Sequence, residues 1–232
     1  MKIPILMYHS ISDGKNPLSV SIENFNKQML FMSQNGYKTL SLQKLTNIPD
    51  KKSFIITFDD GYEDVFLNAL PILKKYDFTA TCFFVSNFIG KYNAWDENKK
   101  EFIKLNLMNI NQISLWIDNN MEVGSHTSDH KNLVNLDCNE KTLQIINPKK
   151  YFNEIFKLDV KTFSYPFGSF DDECFNIVKD NYNFAVTTNR SRYIFNKFNN
   201  CKLPRIPINK KDNIFKFYLK VNTIYEDIKF KN

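Results

Sequence analysis

Short, almost wholly apolar runs alternate along the chain with longer stretches in which apolar residues recur every three or four positions. The first kind predicts buried strands over 3–8, 53–58, 79–85, 121–124, 161–165, 184–187 and 203–206. The second predicts helices over 22–34, 63–76, 112–119, 143–156 and 172–181. Strands and helices that alternate from one end to the other imply a parallel sheet or barrel with its helices outside, because consecutive parallel strands need a crossover and the crossover covers the sheet. A last segment sets Ile214, Tyr218, Val221, Tyr225 and Ile228 at helical spacing, which predicts a terminal helix docked on the body by that stripe; the same stripe would suit a partner or a membrane surface. The least regular stretch, 86–111, holds Gly90, Trp95 and Asp96, and a long excursion after a strand is usually functional or mobile.

Composition narrows the class. A chain of 232 residues with 43% hydrophobic and 24% charged positions has ordinary globular proportions, which speaks against disorder and for one domain over 1–232. No apolar run approaches the roughly 18 residues of a transmembrane segment. The apolar start is interrupted by Tyr8 and His9, too early for a signal-peptide core. A cytoplasmic protein is the default expectation, with export open if a leader precedes this sequence. The net charge of +6 is mild and the lysines are dispersed, so there is no basic stripe interleaved with aromatics and no expectation of nucleic acid binding. Cys82, Cys138, Cys174 and Cys201 are far apart with no CxxC pair, which argues against a thiolate zinc site and against a disulfide framework. Nothing in the sequence sets an oligomeric state.

Scarce residues carry the chemistry. The chain has three histidines, six glycines and three arginines, so the places where they gather need a reason. The apolar run 54–58 leads straight into Asp59-Asp60-Gly61; adjacent carboxylates at a buried strand end repel each other unless a cation or proton intervenes. Taken alone, this could be a polar turn with Asp60 capping the next helix. His126 and His130, four apart after another strand, would lie on one face of a helical turn and converge on one ion. His9 also follows a strand, as does Tyr165-Pro166-Phe167-Gly168, and Arg205 sits inside an apolar run, which implies a paired anion. Parallel barrels and sheets assemble their sites at the carboxyl ends of strands, the address these residues share. Asp60, His126 and His130 then offer a mixed nitrogen and oxygen donor set with a position left for water, the pattern of catalytic zinc. Asp59 is placed to act as general base, His9 as the acid that protonates a departing nitrogen, and a backbone N–H of the Phe167 turn as an oxyanion donor.

In these motifs the sequence resembles the polysaccharide deacetylases, the NodB-homology proteins of carbohydrate esterase family 4. Thr57-Phe58-Asp59-Asp60-Gly61 resembles the family's first motif, His126-Thr127-Ser128-Asp129-His130 its second, and Tyr165-Pro166-Phe167-Gly168 its third. Met7-Tyr8-His9 resembles the subgroup that acts on exopolysaccharide N-acetylglucosamine, in which the acid histidine comes from the first strand. The resemblance implies a distorted (β/α) barrel of about seven strands. It also implies a divalent metal on Asp60, His126 and His130, with Asp59 as base, and hydrolysis of N-acetyl groups on amino sugars. Zinc heads the candidate metals, and the same donors accept cobalt, nickel or iron. The family's third-motif arginine is replaced here by Ser164, and Arg205 is expected to hold Asp59 ionised in its place. Trp95, Tyr165 and Phe167 are the candidate substrate contacts. Two other readings stay open: another amidase or hydrolase on the same scaffold, and a non-catalytic sugar-binding relative.

Overall fold

The computed structural model describes residues 2–45, 52–195 and 197–229. Seven parallel strands form a ring: β1 Ile5–Tyr8, β2 Ser53–Phe58, β3 Thr81–Phe84, β4 Glu122–Ser125, β5 Thr162–Ser164, β6 Phe184–Arg190 and β7 Leu203–Pro207. Each strand pairs with the next in sequence, and β7 returns to β1 with Ile206 opposite Leu6, so the barrel is closed. Helices α1 Ile22–Gln34, α2 Leu70–Lys75, α3 Ile110–Asp118, α4 Cys138–Phe156 and α5 Asp172–Asn181 occupy the first five crossovers, and α6 Ile214–Asn222 and α7 Tyr225–Lys229 follow β7. The expected distorted barrel of about seven strands is therefore the fold. Among the described residues no helix is long and apolar enough to cross a membrane.

Departures from the expected elements have local causes. The 3–8 run splits at Pro4, which has no N–H to give: Lys2–Ile3 pairs antiparallel with Tyr193–Ile194, and only β1 enters the barrel. The helix expected over 63–76 begins as a widened π-helical turn, Val65–Ala69, because Pro71 cannot donate to the turn before it. Helix α4 starts five residues earlier than its apolar pattern suggested, nucleated by a capping box between Asp137 and Glu140. The terminal stripe is corrected. The segment breaks into α6 and α7, and α6 docks through Phe217, Lys220 and Val221, while Ile214, Tyr218 and Ile228 face outward.

Strand alternation sorts the side chains between two layers. Phe54, Ile56 and Phe58 of β2 join the large apolar layer under the helices, with Leu6 and Tyr8 of β1 and Phe163 of β5. Ile5, Ile55, Phe83, Val186 and Leu203 form the smaller cluster inside the ring, closed off by Leu42 and Leu45. Continuing that inward row by two and four residues past Ile55 gives Thr57 and Asp59, and by two past Leu203 gives Arg205. Period-two geometry alone thus carries a carboxylate and a guanidinium into the barrel mouth.

Outside the barrel, Lys220 on α6 is buried with its Nζ 2.6 Å from Asp212 Oδ2 and 2.6 Å from the Pro207 carbonyl oxygen. Burial alone would raise the Asp212 carboxyl, and the two lysines Lys216 and Lys220 with the Asn209 N–H reverse this and hold it low. Lys220→Met removes one of those partners and leaves a buried carboxylate. It should cost about 3 kcal/mol, the lower end for breaking a buried pair, because Lys216 stays 2.8 Å from the other oxygen. A urea titration checks this through its midpoint.

Candidate active site

The turn after β2 separates two adjacent carboxylates. Asp60 has φ 74° and Gly61 φ 76°, and this pair of left-handed residues swings the Asp60 carboxylate away from that of Asp59. Only glycine fits at 61, where a Cβ would meet the Phe84 ring at 2.6 Å. Asp60 does not cap a helix. Its Oδ1 lies 3.4 Å from His126 Nε2 and 3.3 Å from His130 Nε2, and one donor atom from each of the three residues falls within 4.8 Å of the others. The histidines converge through a loop rather than the helical turn expected from their spacing, with φ 67° at Thr127 and 56° at His130. That loop is stitched to its surroundings. The His126 N–H donates to the Phe84 carbonyl, the Ser86 N–H to that of Thr127, and the His130 N–H to Thr127 Oγ1.

The donor set suits a divalent cation. His126 Nδ1 is 2.7 Å from the Ser164 carbonyl oxygen, an obligate acceptor, so Nδ1 carries the proton and a neutral ring turns the Nε2 lone pair toward Asp60. Lone pairs facing a carboxylate oxygen need a positive centre between them. The carboxylate and the imidazoles also act strongly on one another. Burial would raise Asp60, and the two imidazoles outweigh it and hold the carboxyl well below its usual range. Burial would lower His126, and Asp60 and Asp59 draw it up instead. At His130 burial prevails and the imidazole is lowered.

Asp59 meets a different partner. Arg205 Nη1 and Nη2 lie 2.7 Å from its two oxygens, a bidentate pair completed by Nη1 to Thr57 Oγ1 at 3.1 Å, Nη2 to Ser164 Oγ at 3.2 Å and Nε to the Thr187 carbonyl at 2.9 Å. Burial works to raise Asp59, and the Arg205 charge and its hydrogen bonds overcome it, so the carboxyl sits below its ordinary value. One carboxylate of the pair is thus committed to a guanidinium and the other to imidazoles.

The remaining candidates are placed as follows. His9 follows β1, half-buried, and its charge acts on both Asp59 and Asp60. Trp95 stacks on His130 with centroids 4.8 Å apart, and it meets Phe88 in a perpendicular contact at 5.2 Å. Phe167, at φ 60° and half exposed, sets its ring 4.8 Å from His130 on another side. The Tyr165 side chain is buried against Phe163 and Phe170 and donates to the Cys201 carbonyl, so it packs the turn and does not face the site. Gly168 has φ 71°, as a tight turn requires, whereas Gly124 lies in extended β4, where Phe83 and Thr162 leave no room for a Cβ.

Two supporting residues escaped the sequence reading. Asp64 accepts from the Ser10 hydroxyl at 2.6 Å and the Ile11 N–H at 3.0 Å, and Asn68 donates to the Ile11 carbonyl at 2.8 Å. Together they fasten the segment after His9 to the turn after Gly61. Neither has a sequence signal, since a lone Asp and Asn on a helix read as solvated surface.

The family model described as polysaccharide deacetylase matches residues 46–183. A Staphylococcus aureus protein named poly-beta-1,6-N-acetyl-D-glucosamine N-deacetylase is 30% identical over 237 residues, which cover 93% of this chain and 76% of that protein. A Bacillus subtilis protein assigned to the polysaccharide deacetylases is 34% identical over 195 residues, 81% of this chain; the match spans 64% of the B. subtilis protein's own length. Among solved structures, a Streptococcus pyogenes deacetylase in complex with acetate superposes with a TM-score of 0.81 at 26% identity, covering 96% of this chain and 99% of that one. A family match over more than half of the sequence, laid on a barrel whose strand ends gather those motifs, makes this chain a member of the polysaccharide deacetylase family.

Proposed function

We propose that the chain is a metal-dependent hydrolase that removes N-acetyl groups from an amino-sugar-containing glycan or glycan precursor. The observation that carries this reading is the division of labour at Asp59-Asp60: one carboxylate ionised by Arg205 stands beside a second that closes an Asp-His-His donor set. Asp60, His126 and His130 would hold the metal, zinc first. Such an ion supplies Lewis-acid polarisation of the acetyl carbonyl and lowers the pKa of water. Asp59, kept ionised, takes a proton from the attacking water. His9 gives a proton to the sugar nitrogen as the C–N bond breaks, and the Phe167 N–H donates to the oxyanion. Phe167 and Trp95, both packed against His130, flank the site as apolar walls for a sugar ring. The N-acetylglucosamine polymer named for the S. aureus relative is the first substrate to try.

Metal analysis combined with acetate release from N-acetylglucosamine oligomers tests the proposal. Bound metal with acetate released supports it. Metal without acetate points to another amidase activity, metal with glycan binding but no turnover to a sugar-binding relative, and a chain that takes up no metal overturns the mechanism. Dialysis against a chelator should abolish acetate release, and zinc added back at 100 times its Kd should restore it and stabilise the fold by about 2.7 kcal/mol, visible as a higher Tm.

A further inference from the structure

Between the two candidate metal-binding histidines, the peptide groups of Ser128 and Asp129 are held by one residue of α4, the helix that follows. The Ser128 N–H donates to the Gln144 carbonyl at 3.1 Å, and the Asp129 N–H donates to Gln144 Oε1 at 2.9 Å. Gln144 Nε2 donates to Asp129 Oδ2 at 2.6 Å, while Asn87 Nδ2 holds the other Asp129 oxygen at 2.7 Å. A carbonyl in the interior of an α-helix is ordinarily engaged by the N–H four residues on. Four residues beyond Gln144 is Pro148, inside α4, which has no N–H and whose ring pushes the preceding turn's carbonyl outward. The proline thus frees the acceptor that the histidine loop uses. A proline in mid-helix is otherwise a plain liability, and a buried glutamine with its side chain and carbonyl both turned to one loop has no other evident task.

We propose that Gln144 and Pro148 are positioning residues for metal binding: the proline breaks the helix ladder at one carbonyl, and Gln144 uses that carbonyl and its side-chain amide to hold the His126–His130 loop in its left-handed, metal-binding form. The inference rests on the assignment of Asp60, His126 and His130 as metal ligands. Its two parts act on different links of the chain. Pro148 acts on the helix, Gln144 on the loop, and the histidines themselves are untouched by either substitution.

The test is zinc affinity, measured on the metal-free full chain by competition with a chromophoric chelator, alongside thermal unfolding without metal. Gln144→Leu should weaken zinc binding about 10-fold or more, the range for residues that orient metal ligands. Pro148→Ala supplies the missing N–H and should raise the Tm of the metal-free chain while still weakening zinc binding, a combination that a merely structural proline would not give. If both variants bind zinc as tightly as the unaltered chain, the clamp is refuted and the ligand assignment stands. If the unaltered chain binds no zinc, or His126→Ala leaves its affinity unchanged, the ligand assignment falls and the inference falls with it.

Discussion

Asp59→Asn should release acetate at least about 100-fold more slowly than the unaltered chain, the scale for removing a general base, while the metal content is retained. The metal is retained because Asp60 and the two histidines do not lean on Asp59 for their geometry; the left-handed turn at Asp60 and Gly61 points the two carboxylates apart. The substitution has a second effect. Arg205 is fully buried, and an asparagine returns one oxygen to it but sets an NH2 against the other guanidinium nitrogen. The variant will therefore unfold at lower denaturant as well. Rates are to be compared per folded, metal-loaded chain at a temperature below both transitions. Unaltered turnover under those conditions would remove Asp59 from the base role.

Arg205→Met is expected to lower stability by about 3–5 kcal/mol, because it strands the Asp59 carboxylate in the barrel mouth without a counter-charge. It should also slow acetate release, since burial then favours the neutral acid, which cannot accept a proton. The double variant Asp59→Asn with Arg205→Met loses both charges together. Its stability loss should fall well short of the sum of the two single losses, which a double-mutant cycle in urea will read directly. Additive losses would show that the pair is not coupled, and an unchanged rate in Arg205→Met would show that Asp59 needs no help to stay ionised.

Much of this arrangement was legible in the amino-acid order, for a physical reason. A parallel barrel puts its chemistry at strand ends, and a chain with three histidines leaves few ways to staff it. The strand positions, the Asp-Asp-Gly turn and the pair His126 and His130 could be read because each is local. Other features depend on contacts far apart in sequence. The anion implied by Arg205 could be named only through the resemblance, because 146 residues separate it from Asp59. Spacing suggested a helical turn for His126 and His130, but left-handed residues at 127 and 130 make a loop do the same work. The docking face of α6 was misread because Lys220, a charged residue, takes part in burial through Asp212. Gln144 carries no signal at all until Pro148 is seen one turn beyond it.

The closure of the ring also bears on how the protein comes to be active. The Asp-His-His donors follow β2 and β4, all within the first 130 residues, whereas Arg205 lies in β7 and His9 follows β1, the two strands whose pairing shuts the barrel. Contacts that span most of the sequence form late, since the entropy of closing so large a loop must first be overcome. During synthesis the donors can meet before the ring is complete, but the groups assigned to proton transfer come together only when the last strand seats. On the proposed assignment of metal and proton-transfer groups, a half-made chain could then capture an ion without being able to turn over a glycan.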